Sequence, residues 1–433
     1  MSRLILTLSE ATADAALTDG TFDEVFLWTG AGRTTFTGST GPYLHELGAV
    51  NPINVDLVRI ALAVLAADRS ILRVGRGSDW NARDLDLTID VANADIWTAR
   101  ADELSELIGF LTGDHWSFIF TQAPEAAFPP LAVEGERHGR TVLLSGGADS
   151  AVGALLSALD LGAGRSQALV SHYSFTALSP VQRDLVAAIE GLVPGQAQVH
   201  HQFHLNRASR RLDGTDFRSE TSTRSRSFLF LALGLAVAER ANSLLWIPEN
   251  GFASLNPPLG PDRRGSLSTH TTHPRFLREL SALVTAAGGH GVLENPFEPI
   301  TKGEMFRRLA AAIGVDEASR YLSATNSCSH TDGRYSGAPA GTACGVCFGC
   351  LVRRSAFAAS GVPDATTYLV DDTSGRFDEF VRGKSIVEPM RDFVARGVRP
   401  RDVMAMSLPE GYRAQDALTL CALGVDELRQ VVA

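Results

Sequence analysis

The sequence predicts an α/β fold, with a parallel-sheet core between an N-terminal α+β domain and a small helical C-terminal tail. Two observations support this prediction. From residue 139 onward, apolar runs of strand length alternate with segments whose apolar residues recur at helical spacing. The first strand and helix of this series are joined by a tight turn that contains two glycines. Strands that alternate with helices imply right-handed crossovers and a parallel sheet covered on both faces.

Residues 1–137 form the predicted N-terminal α+β domain, to which the sequence assigns no role. Alternating apolar residues predict strands, and apolar residues at helical spacing predict helices. The predicted strands are residues 4–6, 25–28, 70–75, 84–91 and 117–121, and the predicted helices are residues 54–68 and 102–111. Three prolines within residues 122–139 predict a linker to the core.

The core domain, residues 138–360, begins with a strand, a tight turn and a helix. The turn, called the glycine turn here, comprises Ser145, Gly146, Gly147, Ala148, Asp149 and Ser150. Backbone N–H groups at a helix N-terminus favour an anion in such a turn, and glycine lets the backbone approach it closely. The serine hydroxyls add donors, and the Asp149 carboxylate is a candidate Mg²⁺ ligand. A capped turn without any ligand is the alternative.

The remaining strands of the core should bring their carboxyl ends to the same cleft. Strands are predicted at residues 168–173, 198–204 and 244–248, with helices at residues 181–191 and 225–240. Ligands of parallel sheets bind at these ends. The candidate binding residues at the strand ends are Ser171, Glu249 and Asn250.

Two polar stretches without apolar periodicity, residues 207–226 and 256–274, are predicted to be loops beside the cleft. For both, an ordinary surface loop is the alternative interpretation. The candidate residues in them are Arg224 and Arg226 for phosphate groups, and Asn256 and Thr271 for a substrate.

A further helix is predicted to begin at residue 302. Thr301 is the predicted N-cap, and Glu304 stands where a capping box requires it. Lys302 lies at the helix N-terminus, where a positive charge is unfavourable. We therefore expect an anionic ligand near Lys302.

Four of the five cysteines fall between residues 328 and 350, three of them in the spacing C-x-x-C-x-x-C. Four thiolates can close a tetrahedral Zn²⁺ site with no open position, which predicts a structural metal. An iron–sulfur cluster on the same cysteines is the alternative. The predicted ligands are Cys328, Cys344, Cys347 and Cys350.

Residues 361–433 contain short amphipathic segments and form the predicted helical extension, a candidate surface for dimerisation or partner docking. The formal net charge of −10 disfavours non-specific nucleic-acid binding without excluding a local basic patch. No apolar run is long enough to cross a bilayer, and no signal peptide is apparent, so the sequence predicts a cytoplasmic protein without a membrane partner.

The glycine turn resembles the pyrophosphate loop of the PP-loop ATP pyrophosphatases, which bind ATP and release pyrophosphate while they adenylate a substrate. It lacks the Gly-Lys-Ser/Thr of a Walker loop. SGGADS followed by the cysteine motif, RSRSFL at residues 224–229 and TKGE at residues 301–304 together resemble the QueC family of 7-cyano-7-deazaguanine synthases. This resemblance covers residues 139–360.

The resemblance implies two rounds of ATP-dependent activation, in which a 7-deazaguanine carboxylate becomes an amide and then a nitrile. It implies ATP, Mg²⁺ and Zn²⁺ as cofactors. Ser145, Gly146, Gly147, Asp149 and Ser150 would then bind pyrophosphate, with Ser171, Arg224 and Arg226 as further candidate nucleotide contacts. Asp149, Ser150 and Lys302 are the expected catalytic residues.

Three departures from the family pattern predict a different or larger substrate. Ser225 replaces the family's usual Asn, PENGFASLN (residues 248–256) replaces its Asp-containing segment, and the gap between the first two cysteines is longer. The long N-terminal region and the segments PENGFASLNPPL and LSTHTTHP resemble the QatC components of bacterial Qat antiphage defence systems. This likeness implies a defence role with protein partners. A tRNA base-modifying enzyme and a non-catalytic ATP-binding scaffold are the alternative functions.

Overall fold

The computed structural model describes residues 1–30, 32–73, 82–126, 137–174, 177–258, 270–330 and 332–432. The strands in these ranges are β1 (Ser2–Thr7), β2 (Glu24–Leu27), β3 (Phe36–Gly38), β4 (Asp84–Val91), β5 (His115–Gln122), β6 (Arg140–Leu143), β7 (Ser166–His172), β8 (Ala197–Phe203), β9 (Leu205–Arg207), β10 (Leu245–Trp246) and β11 (Leu293–Glu294). The helices are α1 (Glu10–Asp19), α2 (Pro52–Ser70), α3 (Ala94–Thr98), α4 (Ala101–Thr112), α5 (Ala148–Leu161), α6 (Leu178–Leu192), α7 (Arg226–Arg240), α8 (Gly251–Ser254), α9 (Pro274–Ala286), α10 (Lys302–Ile313), α11 (Val315–Ser323), α12 (Phe348–Ser360), α13 (Asp378–Lys384), α14 (Val387–Arg396), α15 (Pro400–Met404) and α16 (Ala414–Val432).

The core contains a five-stranded sheet in the order β11-β10-β6-β7-β8, and every pairing in it is parallel. Alternate residues of β6 and β7 face opposite sides of the sheet. Leu143 and Val170 pack in the cluster that contains α7, whereas Val142 and Leu169 pack in the cluster that contains α5, α6 and α10. This arrangement confirms the predicted parallel sheet with helices on both faces.

The N-terminal part has a second sheet, in the order β2-β1-β4-β5, whose pairings are also all parallel. The alternation of residues 84–91 did not indicate this parallel pairing. The predicted strand at residues 70–75 is wrong over residues 70–73. Ser70 ends α2, where its hydroxyl donates to the Ala66 carbonyl, and Ile71 N–H still bonds to the Ala67 carbonyl. Residues 74 and 75 lie outside the described ranges.

Helix α2 joins the two sheets into one hydrophobic core. Nearly all of its residues are buried, and its apolar side chains belong to the same cluster as those of both sheets and of α7. The short strands β3 and β9 also pair antiparallel across the two parts of the chain. The N-terminal part therefore packs on α7, the helix that covers one face of the core sheet.

A buried group of charges lies at the end of α2. The Asp114 carboxylate accepts hydrogen bonds from Arg73 at 2.6 and 2.9 Å and from Arg83 at 2.7 Å, and Asp68 accepts from Arg83 at 2.5 Å. Burial alone would raise the pKa of Asp114, but the hydrogen bonds and charges of Arg83 and Arg73 hold it below its ordinary value. Such groups are stable only while every charge keeps its partner.

The C-terminal region is helical, as predicted. Helices α14, α15 and α16 enclose a small apolar cluster that also includes Leu351 and Val352 of α12. Among the residues that the structure describes, no helix is long and apolar enough to cross a membrane.

We predict that Asp114→Asn lowers the free energy of unfolding by about 3 to 5 kcal/mol, because it removes one of the two buried carboxylates that pair with Arg73 and Arg83 and leaves Asp68 alone to balance both charges. Urea unfolding at pH 7 measures this change. The Asp114 carboxylate has a lowered pKa in the folded state. Its contribution to the free energy of unfolding is therefore complete above its ordinary pKa and is lost as pH falls from there through the lowered pKa. The variant should lack this part of the pH dependence.

Asp14→Asn is the matched control, because Asp14 forms an exposed ion pair with Arg33. We expect it to change the unfolding free energy by less than about 0.5 kcal/mol. Equal effects of the two substitutions would contradict a stabilising role for the buried charges.

Candidate functional site

The glycine turn has the geometry that its sequence predicts. Gly146 has φ +94°, a conformation that glycine adopts without strain, and Gly147 is the N-cap of α5 in an extended conformation. The Ser145 and Ser150 hydroxyls lie 2.9 Å apart, and Ser145 Oγ accepts a bond from Gly147 N–H at 3.2 Å. The turn thus places two hydroxyls and the N-terminus of α5 at the carboxyl end of β6.

Asp149 and Lys302 form a buried ion pair beside this turn. Lys302 Nζ lies 2.6 Å from Asp149 Oδ2, and both side chains are almost completely buried. Asn250 Nδ2 donates to Asp149 Oδ1 at 3.2 Å. Asn250 is also the N-cap of α8, where its side chain accepts from Ala253 N–H. Asn250, a predicted substrate residue, therefore holds the Asp149 carboxylate in the structure.

The helix that carries Lys302 is capped in an unexpected way. Thr301 is the N-cap and accepts from Glu304 N–H, as predicted. The Glu304 carboxylate, however, bonds to Arg307 and Arg308 instead of completing a capping box. Glu427 of α16 takes its place.

The Glu427 carboxylate accepts a hydrogen bond from the Thr301 hydroxyl and another from Gly303 N–H at 3.1 Å. Burial raises the pKa of Glu427, although these two hydrogen bonds oppose the rise. The C-terminal helix α16 thereby contacts the residues on both sides of Lys302. No sequence pattern indicated this contact, since Glu427 lies more than a hundred residues beyond Lys302.

A cleft of 720 Å³ lies over the glycine turn. The structure brings Ser145, Gly147, Asp149, Ser150, Arg226, Glu249 and Lys302 together in its walls. A second cavity of 380 Å³ adjoins it and is lined by Ser145, Arg226, Glu249 and Thr271 among others. These predicted residues share one region, in agreement with the convergence of strand ends.

Three of the predicted site residues do not line the cleft over the glycine turn. Ser171 is fully buried, and its hydroxyl bonds to the Leu144 carbonyl and to His200 within the sheet. Arg224 lines the adjoining cavity instead, and its guanidinium donates to the Thr112 carbonyl of the N-terminal part at 2.7 Å. Asn256 is buried after α8 and lines neither cavity. Tertiary packing directs these side chains away from the cleft.

The four cysteines form a compact four-cysteine cluster. Their sulfur atoms all lie within 4.8 Å of one another, with 4.0 Å between Cys328 and Cys347 and 3.8 Å between Cys344 and Cys350. Zinc–sulfur bonds of about 2.3 Å give a sulfur–sulfur edge of about 3.8 Å in a tetrahedron. The cluster fits a structural Zn²⁺ ion.

The segment that carries Cys328 also contacts the glycine turn. Asn326 N–H donates to the Gly146 carbonyl at 2.8 Å, and Ser327 Oγ accepts from Ala148 N–H at 3.2 Å. A Cβ atom on Gly349 would lie 2.1 Å from the Ser327 carbonyl oxygen, so only glycine allows α12 to approach so closely. The four-cysteine cluster therefore supports the segment that lies against the glycine turn.

We predict that Cys344→Ser abolishes stoichiometric metal binding and lowers thermal stability, because three thiolates cannot close the tetrahedral site. Elemental analysis by mass spectrometry should find about one zinc per wild-type chain. Cys421→Ala is the matched control, since Cys421 is buried far along the chain in α16. Unchanged zinc content in the Cys344 variant would contradict the assignment, and iron with sulfide in the wild type would favour the iron–sulfur alternative.

We predict that Glu427→Ala destabilises the protein by about 1 to 3 kcal/mol, because the Thr301 hydroxyl and Gly303 N–H lose their hydrogen bonds to a charged acceptor. It should also weaken ATP binding, because the Lys302 backbone loses its support on both sides. Chemical unfolding and calorimetric titration with ATP measure the two effects. Asp426→Ala is the matched control on the same helix, where Asp426 forms an exposed pair with Arg429. Equal ATP affinity in the two folded variants would contradict the role of Glu427.

Comparison with known proteins gives similarity over parts of the chain, and no family model matches it. The 7-cyano-7-deazaguanine synthase of Cupriavidus taiwanensis is 41% identical over 92 residues, which cover 21% of this chain and 35% of the relative. The enzyme of that name from Desulfatibacillum aliphaticivorans is 31% identical over 103 residues, or 22% of this chain and 39% of the relative. The 7-cyano-7-deazaguanine synthase 1 of Sphingopyxis alaskensis is 32% identical over 162 residues, or 36% of this chain and 61% of the relative. Part of the chain is thus similar to part of these synthases.

Proposed function

We propose that the protein is an ATP-dependent adenylating enzyme that activates a carboxylate or amide of a 7-deazaguanine-type substrate. The observation that carries the proposal is the glycine turn at the N-terminus of α5, with the buried Asp149–Lys302 pair beside it in a cleft. The partial similarity to 7-cyano-7-deazaguanine synthases supports the substrate class.

The reaction begins when a substrate oxygen attacks the α-phosphorus of ATP and pyrophosphate leaves. The product is an adenylate, from which ammonia displaces AMP to give an amide. In a second round, the amide oxygen attacks the α-phosphorus, and loss of AMP and a proton gives the nitrile. The enzyme must stabilise the negative charge that grows on the departing pyrophosphate.

The residues of the cleft suit this task. The N–H groups at the start of α5 and the hydroxyls of Ser145 and Ser150 offer hydrogen bonds to phosphate oxygens. Lys302 supplies a positive charge that Asp149 holds in place. Asp149 can also serve as the single carboxylate that Mg²⁺ needs when phosphates provide its other ligands, and Mg²⁺ would neutralise pyrophosphate charge.

The substrate side of the cleft differs from the family pattern. Glu249 and Thr271 line the cavity beside the glycine turn and are our proposed substrate contacts. We extend the proposal to a role in bacterial antiphage defence, in which the activated group is joined to a protein partner. The replaced segment at residues 248–256 and the added N-terminal part, residues 1–137, motivate this extension.

Pyrophosphate exchange tests the proposed function. The purified protein is supplied with ATP, Mg²⁺ and labelled pyrophosphate. Label should appear in ATP only when 7-carboxy- or 7-amido-7-deazaguanine is present. Asp149→Ala should lower the exchange rate at least about a hundredfold, because Lys302 loses its partner and the phosphates lose a metal ligand. Glu304→Ala is the control, since that carboxylate faces Arg307 and Arg308 outside the cleft.

If pyrophosphate exchange requires a protein instead of a deazaguanine, the proposed substrate class is wrong, but the proposed adenylation chemistry stands. Exchange that requires tRNA would favour the base-modifying alternative. ATP binding without exchange under every condition would contradict the proposed enzyme and favour a scaffold.

A further inference from the structure

The cleft has a second positively charged wall, for which the sequence predicted Arg226 but not Arg69. Arg69, from the end of α2, and Arg226, the first residue of α7, both line the cleft. Arg69 belongs to the N-terminal part, so this part of the chain reaches the site directly. Within the described residues, neither guanidinium forms a hydrogen bond or an ion pair, whereas the guanidinium of Arg224, which lines the adjoining cavity, donates to the Thr112 carbonyl.

Arg69 and Arg226 bring like charges to the lining of the same cleft. The surrounding walls desolvate Arg226 and, together with the charge of Arg69, lower its pKa, although its side chain is open to the cleft. Burial likewise lowers the pKa of Arg69, with only Asp68 opposing. Arg226 is also the first residue of α7, where the helix dipole disfavours a positive charge, whereas Arg69 lies in the last turn of α2. An anion bound by both guanidiniums would offset these unfavourable interactions.

The arrangement is held in place by the residue next to Arg69. The Asp68 carboxylate accepts hydrogen bonds from Arg224 N–H at 2.7 Å, from Ser225 N–H at 3.0 Å and from the Ser225 hydroxyl at 2.8 Å. These bonds join the end of α2 to the start of α7. Arg69 and Arg226 each follow directly after a residue in this contact, so their backbone positions are fixed in advance of any ligand.

Other polar groups complete the same wall. Ser227 Oγ is buried and has no hydrogen-bond partner within the described residues, and Ser227 lines the adjoining cavity. Glu220 also lines the cleft, but its carboxylate accepts bonds from Arg73 N–H and from both the N–H and the hydroxyl of Ser222. The two guanidiniums therefore keep their donors available.

We propose that Arg69 and Arg226 form an oxyanion site, built across the N-terminal part and the core, that binds a phosphate or carboxylate group of a ligand in the cleft. Guanidinium groups recognise such oxyanions through paired hydrogen bonds. The oxyanion belongs either to the ATP phosphates or to the carboxylate of the acceptor. This inference rests on the proposed function for the identity of the acceptor, but not for the site itself.

Calorimetric titration of the full chain tests the site with four probes: Mg²⁺–ATP, pyrophosphate, 7-carboxy-7-deazaguanine and the neutral 7-cyano-7-deazaguanine. Arg69→Gln and Arg226→Gln should each weaken binding of an oxyanion probe about tenfold or more. Arg210→Gln is the matched control, because Arg210 is 76% exposed in the loop that follows β9. Arg210→Gln should leave the affinity for all four probes unchanged.

The probes whose affinity falls identify the source of the oxyanion. Weaker binding of Mg²⁺–ATP and pyrophosphate assigns the site to the nucleotide phosphates. Weaker binding of 7-carboxy-7-deazaguanine, with unchanged binding of 7-cyano-7-deazaguanine, assigns it to the acceptor. Thermal unfolding of each variant shows whether it is folded. If Arg69→Gln or Arg226→Gln fails to fold, Arg69→Lys or Arg226→Lys replaces it. The lysine keeps the positive charge but cannot form the paired hydrogen bonds, so part of the affinity for the oxyanion should be lost.

Affinities within twofold of wild type for all four probes, in folded Arg69 and Arg226 variants, would overturn the inference. Wild-type protein that binds none of the probes would overturn both the inference and the proposed function. ATP binding that depends on Arg69 without any pyrophosphate exchange would overturn only the proposed function.

Discussion

The ion pair between Asp149 and Lys302 is the interaction on which the site depends. At 2.6 Å and almost without exposure to water, each charge needs the other, because an isolated buried charge is strongly unfavourable. Asn250 fixes the carboxylate from the end of the core sheet, and Glu427 supports the helix that carries the lysine. Four separate parts of the chain therefore meet at one pair of charges, directly beside the turn that faces the cleft.

A second constraint, the buried Asp68 carboxylate, joins the N-terminal part to the core. Its bonds to Arg83, Arg224 and Ser225 make the end of α2 and the start of α7 one structural unit. The same contact sets Arg69 and Arg226 in the wall of the cleft. The N-terminal part thus places Arg69 in the wall of the cleft, while its helix α2 is buried between the N-terminal sheet and α7.

Local patterns allowed the glycine turn, the helix at Lys302 and the four-cysteine cluster to be predicted, because each depends on residues close together in sequence. The contributions of Arg69 and Glu427 come from helices far away in the chain, and no local pattern marks them. Ser171 and Arg224 show a further limit. Both lie where the sequence placed them, but the Leu144 and Thr112 carbonyls draw their side chains away from the cleft. Position along an element was predictable, whereas side-chain direction was set by tertiary packing.

The proposed function requires that the glycine turn binds the phosphates of ATP. A crystal structure with Mg²⁺ and a non-hydrolysable ATP analogue would show whether it does. We expect phosphate oxygens within hydrogen-bond distance of the N–H groups at the start of α5 and of the Ser145 or Ser150 hydroxyl, with Lys302 beside them. Nucleotide bound elsewhere, while the turn keeps its internal hydrogen bonds, would show that the glycine turn is not the ATP site.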